Sequence, residues 1–194
     1  RGDIGSTMKA YADAWLGSSS PLGTDSVTLS PYLGFESLRP ALDLADENDR
    51  GTFVLALTSN PEGKSVQHVG ASESGHSGES GGAVAKRIIA AATAENASRQ
   101  WEQMGPCGLV VGATVGQALV DLGIDLSVFN GPILSPGYGA QGASAADLYR
   151  VFAGVESQVL VNSSRGVLAA GPSVEGLAQA AQAARDDLLA ARGA

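Results

Sequence analysis

Two stretches in the last third of the chain carry residue types suited to holding a phosphate. Gly137-Tyr138-Gly139-Ala140-Gln141-Gly142 is a glycine-rich turn with one amide side chain, and it follows an apolar run. About 25 residues further on, Asn162-Ser163-Ser164-Arg165-Gly166 sets a single guanidinium beside a glycine, ahead of the short apolar segment 167–170. Free backbone N–H groups and a fork of guanidinium donors both favour a dianion. The bland alternative for Arg165 is a pairing with some surface carboxylate. The G-x-G-x-x-G spacing also fits a dinucleotide-binding turn, but that turn calls for an acidic residue at the end of the next strand to hold a ribose hydroxyl. Asn162 stands there, and Glu156 comes before the strand. A phosphate grip built from two successive loops is the better reading.

Other candidates carry less. Ser59-Asn60-Pro61 reads as a plain turn from its spacing alone. Arg1-Gly2-Asp3 spells a short adhesion motif, yet it follows no hairpin and precedes a helix-like run, so chance accounts for it. His68 and His76 lie in a Gly/Ser/Glu-rich stretch as solvated loop residues and form no metal-ligand set.

The elements that must position these residues alternate along the whole chain. Strand-like runs fall at 26–30, 52–58, 108–112, 132–135 and 158–162. Most are continuous apolar runs, as expected when both faces of a parallel sheet are covered. Between them lie helix-like segments. Met8, Tyr11, Ala12, Trp15 and Leu16 mark one helical face, with Ser6 or Thr7 as its expected cap. Phe35, Leu38, Leu42 and Ala45 mark a second helix, which accepts Pro40 only in its first turn. Ala-rich helices are expected at 83–104 and 174–192, with a shorter one at 145–152. Strand starts at 26, 53, 108, 132 and 158 stand 27, 55, 24 and 26 residues apart, three of them near one βα unit. The long interval holds segment 62–82, rich in Gly, Ser and Glu, which is expected to be a flexible loop insert. Such alternation builds a parallel sheet, either an open doubly wound one or a closed barrel. In both, ligands gather at the C-terminal ends of the strands. The residues there are Asp3, Ser30, Thr58 to Asn60, Thr114, 136–142 and 162–166.

Bulk properties narrow the class. The chain has 194 residues, 44% hydrophobic and 16% charged, in keeping with one globular domain over 1–194. A formal charge of −8 repels a polyanion, so nucleic acid is not the expected partner. The most apolar stretch, 108–122, is interrupted by Gly112, Thr114, Gly116 and Gln117 and is too short to cross a bilayer, so no membrane is expected either. Cys107 is the only cysteine, which excludes an intrachain disulfide and fits a reducing, cytoplasmic setting.

Taken in order, these blocks resemble one family. Asp3-Ile4-Gly5-Ser6-Thr7 looks like the tail of the Asp-x-Lys-x-x-Asp-Ile-x-x-Thr motif of orotidine 5'-phosphate decarboxylases. The stretch 24–34, Thr58-Ser59-Asn60-Pro61, the turn from Pro136 to Gly142, and Val161 to Gly166 are similar to that family's later blocks, most of all in the branch found in mycobacteria and related bacteria. The resemblance covers nearly the whole chain apart from 62–82. It implies a (β/α)8 TIM barrel, of which this chain supplies about the last five βα units and the end of the third strand. It also implies a homodimer with shared active sites, no cofactor, and orotidine 5'-phosphate as substrate for cofactor-free decarboxylation to UMP.

Residue roles follow from the same resemblance. Asp3 matches the second aspartate of a charged catalytic array, the one that reaches into the partner's site, and Thr7 the threonine that contacts ligand across the interface. Ser59 matches the serine that holds the pyrimidine ring. Gln141 and Arg165 match the phosphate-gripping residues, with Pro136 opening the loop and Gly139 and Gly166 allowing close backbone approach. The family's lysine would immediately precede Arg1, with the first aspartate two residues earlier still, and neither is in this sequence. Two other readings stay open at this point: a related sugar-phosphate barrel enzyme of the hexulose-phosphate synthase kind, and a non-catalytic nucleotide-binding remnant.

Overall fold

The computed structural model describes residues 2–71 and 82–192. Five strands form a single sheet: β1 (Ser26–Leu29), β2 (Gly51–Leu57), β3 (Cys107–Val111), β4 (Ile133–Pro136) and β5 (Val159–Asn162). They lie in the order β1-β2-β3-β4-β5, and every neighbouring pair is parallel. Each strand falls within about a residue or two of its predicted position, because a strand buried on both faces shows itself as an unbroken apolar run. Sequential order with parallel pairing is the arrangement of consecutive βα units in a (β/α)8 barrel.

The register sorts the side chains into two rows. Val54, Leu109 and Ile133 pair across the sheet, are fully buried, and belong to the main core. The neighbouring row, Leu55, Val110, Leu134 and Leu160, lies outside that core, with Leu160 51% exposed. The first row faces the helices and the second lines the concave side that a closed barrel packs upon itself.

The helices on the outer face are α1 (Gly5–Leu16), α2 (Arg39–Glu47), α3 (Lys64–Gln67), α4 (Val84–Ala97), α5 (Gly116–Asp121), α6 (Ala145–Val151), α7 (Ser164–Leu168) and α8 (Val174–Arg192). In α1, Met8, Ala12 and Leu16 are completely buried, which is the face read from the sequence. Its cap differs from expectation. Ile4 is the N-cap and no side chain caps the helix, since Ser6 and Thr7 already lie inside the first turn. In α2, Pro40 falls in the first turn, where its missing N–H has no intrahelical partner to lose. The end of α4 also departs from the predicted 83–104. The helix stops at Ala97, where Trp101 Nε1 donates to the Asn96 carbonyl at 2.8 Å and the chain folds back. The Asn96 side chain, 2% exposed, then spans both backbone groups of Cys107: its Nδ2 donates to the carbonyl at 2.9 Å, and its Oδ1 accepts from the N–H at 3.1 Å. One polar side chain therefore fixes where α4 ends and β3 begins.

Residues 2–4 form no strand, contrary to the expected strand end. They run beside the end of β1, close enough that a Cβ on Gly2 would lie 2.0 Å from the Ser30 carbonyl oxygen. The segment expected to be an insert begins with a 3-10 turn at Pro61–Gly63, followed by α3, and residues 72–81 of it lie outside the described residues. No described helix is long and apolar enough to cross a membrane.

One prediction concerns the joint after β4. Ser144 caps α6 in a reciprocal box: its Oγ accepts from the Asp147 N–H at 3.1 Å, while Asp147 Oδ2 accepts from the Ser144 N–H at 3.1 Å. These bonds, Ser144 first, hold the Asp147 carboxyl below its ordinary range. Ser144→Ala is expected to cost about 1 kcal/mol of stability, read from the denaturant midpoint. An unchanged midpoint would show that the cap contributes nothing.

Candidate functional site

The candidate site is built on the C-terminal ends of the strands. In β2 the pairing with β3 shifts between Leu55 and Leu57, so Ala56 and Leu57 are both buried. A bulge of this kind re-aims the residues that follow it, here Thr58 and Ser59. Gln67 on α3 then clamps Thr58 from both sides, its Oε1 accepting from the Thr58 N–H at 2.9 Å and its Nε2 donating to Thr58 Oγ1 at 2.9 Å. The turn at Ser59 is therefore held, and Ser59 is exposed enough to meet a ligand. Sequence reasoning missed Gln67, because no spacing in 58–67 marks an amide that folds back over nine residues.

The loop after β4 is closed at its base. Tyr138 and Ala143 form a bridge, with Gly139 N–H donating to the Ala143 carbonyl at 2.8 Å and Ala143 N–H to the Gly137 carbonyl at 3.2 Å. Closing so small a loop needs left-handed backbone, supplied by Gly137 at φ 122°, Gly139 at 69° and Gly142 at 99°. Nothing lies within 4 Å of where a Cβ would stand on Gly139 or Gly142, so the outer surface of the loop is open to a ligand. Gln141 sits exposed at its tip. Ser59 Oγ donates to Gln141 Oε1 at 3.2 Å, joining two candidates 82 residues apart in the chain.

Of the other candidates, Pro136 ends β4 opposite Asn162 of β5, and its carbonyl accepts from the Ala113 N–H at 2.8 Å. Gly139 and Gly166, from the two successive loops, line one hollow of about 380 Å3 together with Tyr138, Ser163 and, from α8, Ala184 and Asp187. Arg165 lies within α7 and is exposed, and among the described residues its guanidinium makes no hydrogen bond or ion pair. The surface-carboxylate pairing considered for it is therefore absent from the described residues. Asp3 and Thr7 stand at the β1 side, away from this pair of loops in the sheet order. Asp3 Oδ1 accepts from the Ile4 N–H at 2.8 Å, and Thr7 is half-buried in α1. Burial pushes the Cys107 thiol up to about 12, so it stays protonated at neutral pH.

The Ser59–Gln141 bond should be energetically real in the absence of any ligand. A double-mutant cycle with Ser59→Ala and Gln141→Ala is expected to give a coupling of about 0.5–1.5 kcal/mol in the stability of the ligand-free protein. Strict additivity would mean that the two side chains act independently.

The fold is that of consecutive βα units of a (β/α)8 barrel, with the two candidate loops after the last two strands of the sheet. A family model described as "Orotidine 5'-phosphate decarboxylase / HUMPS family" matches residues 1–180. The chain belongs to this family. It is 52% identical over 182 residues to the orotidine 5'-phosphate decarboxylase of Streptomyces coelicolor, covering 93% of this chain and 60% of that protein. It is 50% identical over 191 residues to that of Salinispora arenicola, covering 98% and 64%. The crystal structure of a Streptomyces avermitilis protein of this family superimposes with a TM-score of 0.87 at 50% identity, covering 100% of this chain and 64% of that one. Leishmania donovani UMP synthase gives 0.71 at 29% identity, covering 99% and 38%. The chain thus spans about three-fifths of the length of the curated relatives it matches.

Proposed function

We propose that the protein carrying this chain decarboxylates orotidine 5'-phosphate to UMP without a cofactor, in the synthesis of pyrimidine nucleotides. The observation that carries this reading is the Ser59–Gln141 contact. It joins the residue suited to holding a pyrimidine edge with the residue at the tip of an open glycine loop suited to a phosphate. Arg165, free of carboxylates among the described residues, supplies the positive charge for that phosphate.

In this reading the C6–carboxylate bond breaks and its electron pair stays on C6, which has no conjugated sink. The site must stabilise that carbanion and deliver a proton to it, which one ammonium beside C6 does. The family resemblance assigns that ammonium to the position just before Arg1. By the same resemblance Asp3 reaches into the site of the partner copy, where a carboxylate beside the departing CO2 disfavours the charged ground state, an effect whose share of the barrier is contested in general. Phosphate gripped by Gln141 and Arg165, remote from C6, converts binding energy into an ordered and dry site.

The dimer belongs to the same proposal. Ile4, Tyr32 and Leu33 are 64%, 77% and 52% exposed near Asp3 and the end of β1. The family resemblance implies a second copy, through which Asp3 and Thr7 reach the partner's site. Single cysteine usage accords with a cytoplasmic protein.

The test is conversion of orotidine 5'-phosphate to UMP by the full-length protein with and without a chelator. Turnover at the same rate in both is expected. Loss of activity with chelator would favour a metal-dependent sugar-phosphate enzyme of the hexulose-phosphate kind, and UMP binding without turnover would leave a binding protein.

A further inference from the structure

The hydroxyl of Tyr138 donates to Asp187 Oδ2 of α8 at 2.7 Å, across 49 residues. In the phosphate motif Tyr138 occupies only a spacer position between Gly137 and Gly139, and Asp187 lies outside that motif. Its ring packs against the main core while its hydroxyl reaches the exposed surface of α8. Tyr138 is also the residue at which the glycine loop closes, by its bridge to Ala143. The same stretch of α8 backs the other phosphate loop, since Ala184 and Asp187 share a hollow with Gly139, Ser163 and Gly166.

We propose that Tyr138 and Asp187 are positioning residues for phosphate binding: their hydrogen bond pins the base of the 137–143 loop to α8 and so sets the distance between the Gln141 tip and the Arg165 turn. The proposal rests on the phosphate reading given above. The physical reason is that the grip is divided between two loops. The β4–β5 ladder fixes the bases of the two loops at Pro136 and Asn162, and beyond those bases α8 is the element that touches both loops and holds their outer parts at a set spacing. A grip whose halves are held at fixed spacing loses less freedom when the anion arrives. Burial, then the adjoining Asp187 carboxylate, push the Tyr138 hydroxyl up to about 12, so it remains a donor throughout the neutral range.

A purely electrostatic role for Asp187 makes the opposite prediction. A carboxylate close to a phosphate weakens its binding, so removing the charge would tighten UMP. A positioning role predicts that removal loosens it. The experiment measures Kd for UMP and for uridine by calorimetry, with the full-length protein and its Tyr138→Phe, Asp187→Ala and Asp187→Asn variants. Asp187 lies exposed on α8, so its variants should fold even if Tyr138→Phe does not, and thermal midpoints monitor this. Tyr138→Phe and Asp187→Ala are each expected to weaken UMP about fivefold, as loss of one hydrogen bond does, and to leave uridine unchanged. Asp187→Asn, whose amide oxygen still accepts from the tyrosine, is expected to restore most of the UMP affinity. UMP affinity that is unchanged or tighter in Asp187→Ala, in a protein that prefers UMP to uridine, would overturn the inference alone. A wild-type protein that does not prefer UMP would overturn the phosphate reading and this inference with it.

Discussion

Arg165→Ala is expected to lower kcat/KM for orotidine 5'-phosphate by about a hundredfold or more. The guanidinium is exposed, forms no ion pair or hydrogen bond among the described residues, and lies in α7, just after β5. Without an internal partner to satisfy, its full donor set is available to a dianion. A hydrogen bond to a charged group contributes about 1.5–3 kcal/mol, and a fork that makes two of them reaches about 3 kcal/mol or more. That is roughly two decades in rate. The loss is expected in kcat as well as KM, because phosphate binding remote from C6 is used to close and order the site. Arg165→Lys should recover only part of it, since an ammonium keeps the charge but not the planar fork. Steady-state kinetics on the three proteins decide the matter. An unchanged kcat/KM in Arg165→Ala would remove Arg165 from the phosphate site.

The second large effect is on stability. Asn96→Leu is expected to destabilise the fold by about 3 kcal/mol. Asn96 is almost fully buried, and its side chain satisfies both the N–H and the carbonyl of Cys107 at the first residue of β3. A leucine of similar size fills the space but leaves two buried backbone groups without these partners, each costing about 1–3 kcal/mol. The space is also tight. A Cβ on Gly105 would meet the Asn96 carboxamide oxygen at 2.2 Å, and one on Gly131 would meet its nitrogen at 2.5 Å, so the backbone has closed around this amide. A net stability of about 5–15 kcal/mol makes such a loss a large fraction of the whole. Equilibrium denaturation measures it, with the slope checked for a change in compactness. A loss below about 1 kcal/mol would show that water takes over both bonds.

These two side chains mark what could and could not be read in the sequence. The strands were legible because parallel strands covered on both faces must be apolar throughout, as in 107–111, which is buried at every residue. The buried face of α1 was legible for a related reason, the helical spacing of Met8, Ala12 and Leu16. The glycine turn after β4 was legible because left-handed backbone at Gly137, Gly139 and Gly142 calls for glycine and leaves a pattern. Contacts made by single polar side chains over long separations leave no pattern. Asn96 lies in a helix that looks from its sequence as though it continues to Met104, and only its reach to Cys107 shows why the helix stops at Ala97. Gln67 and Asp187 were invisible for the same reason. The cap of α1 failed differently: Ser6 and Thr7 are good capping types, but the chain turns into the helix two residues earlier, at Ile4.

Asp3, Thr7 and Ser59 came from matched motifs and spacing alone would not have chosen them, whereas Arg165 and the glycine turn that holds Gln141 were already marked by residue type. Ser59-Asn60-Pro61 reads as an ordinary turn, and it becomes part of a site only through the hydrogen bond to Gln141. That bond is local geometry the sequence could not supply, and in the proposed function it connects a ring-binding position with an anion-binding one.

The most direct measurement is decarboxylation in D2O, with chelator present and the full-length protein as catalyst. Because the carbanion left at C6 takes its proton from an ammonium that exchanges with solvent, one deuterium at C6 of UMP and one CO2 per UMP are expected. Orotidine 5'-phosphate that is bound yet recovered unchanged, with no CO2 released, would contradict the account.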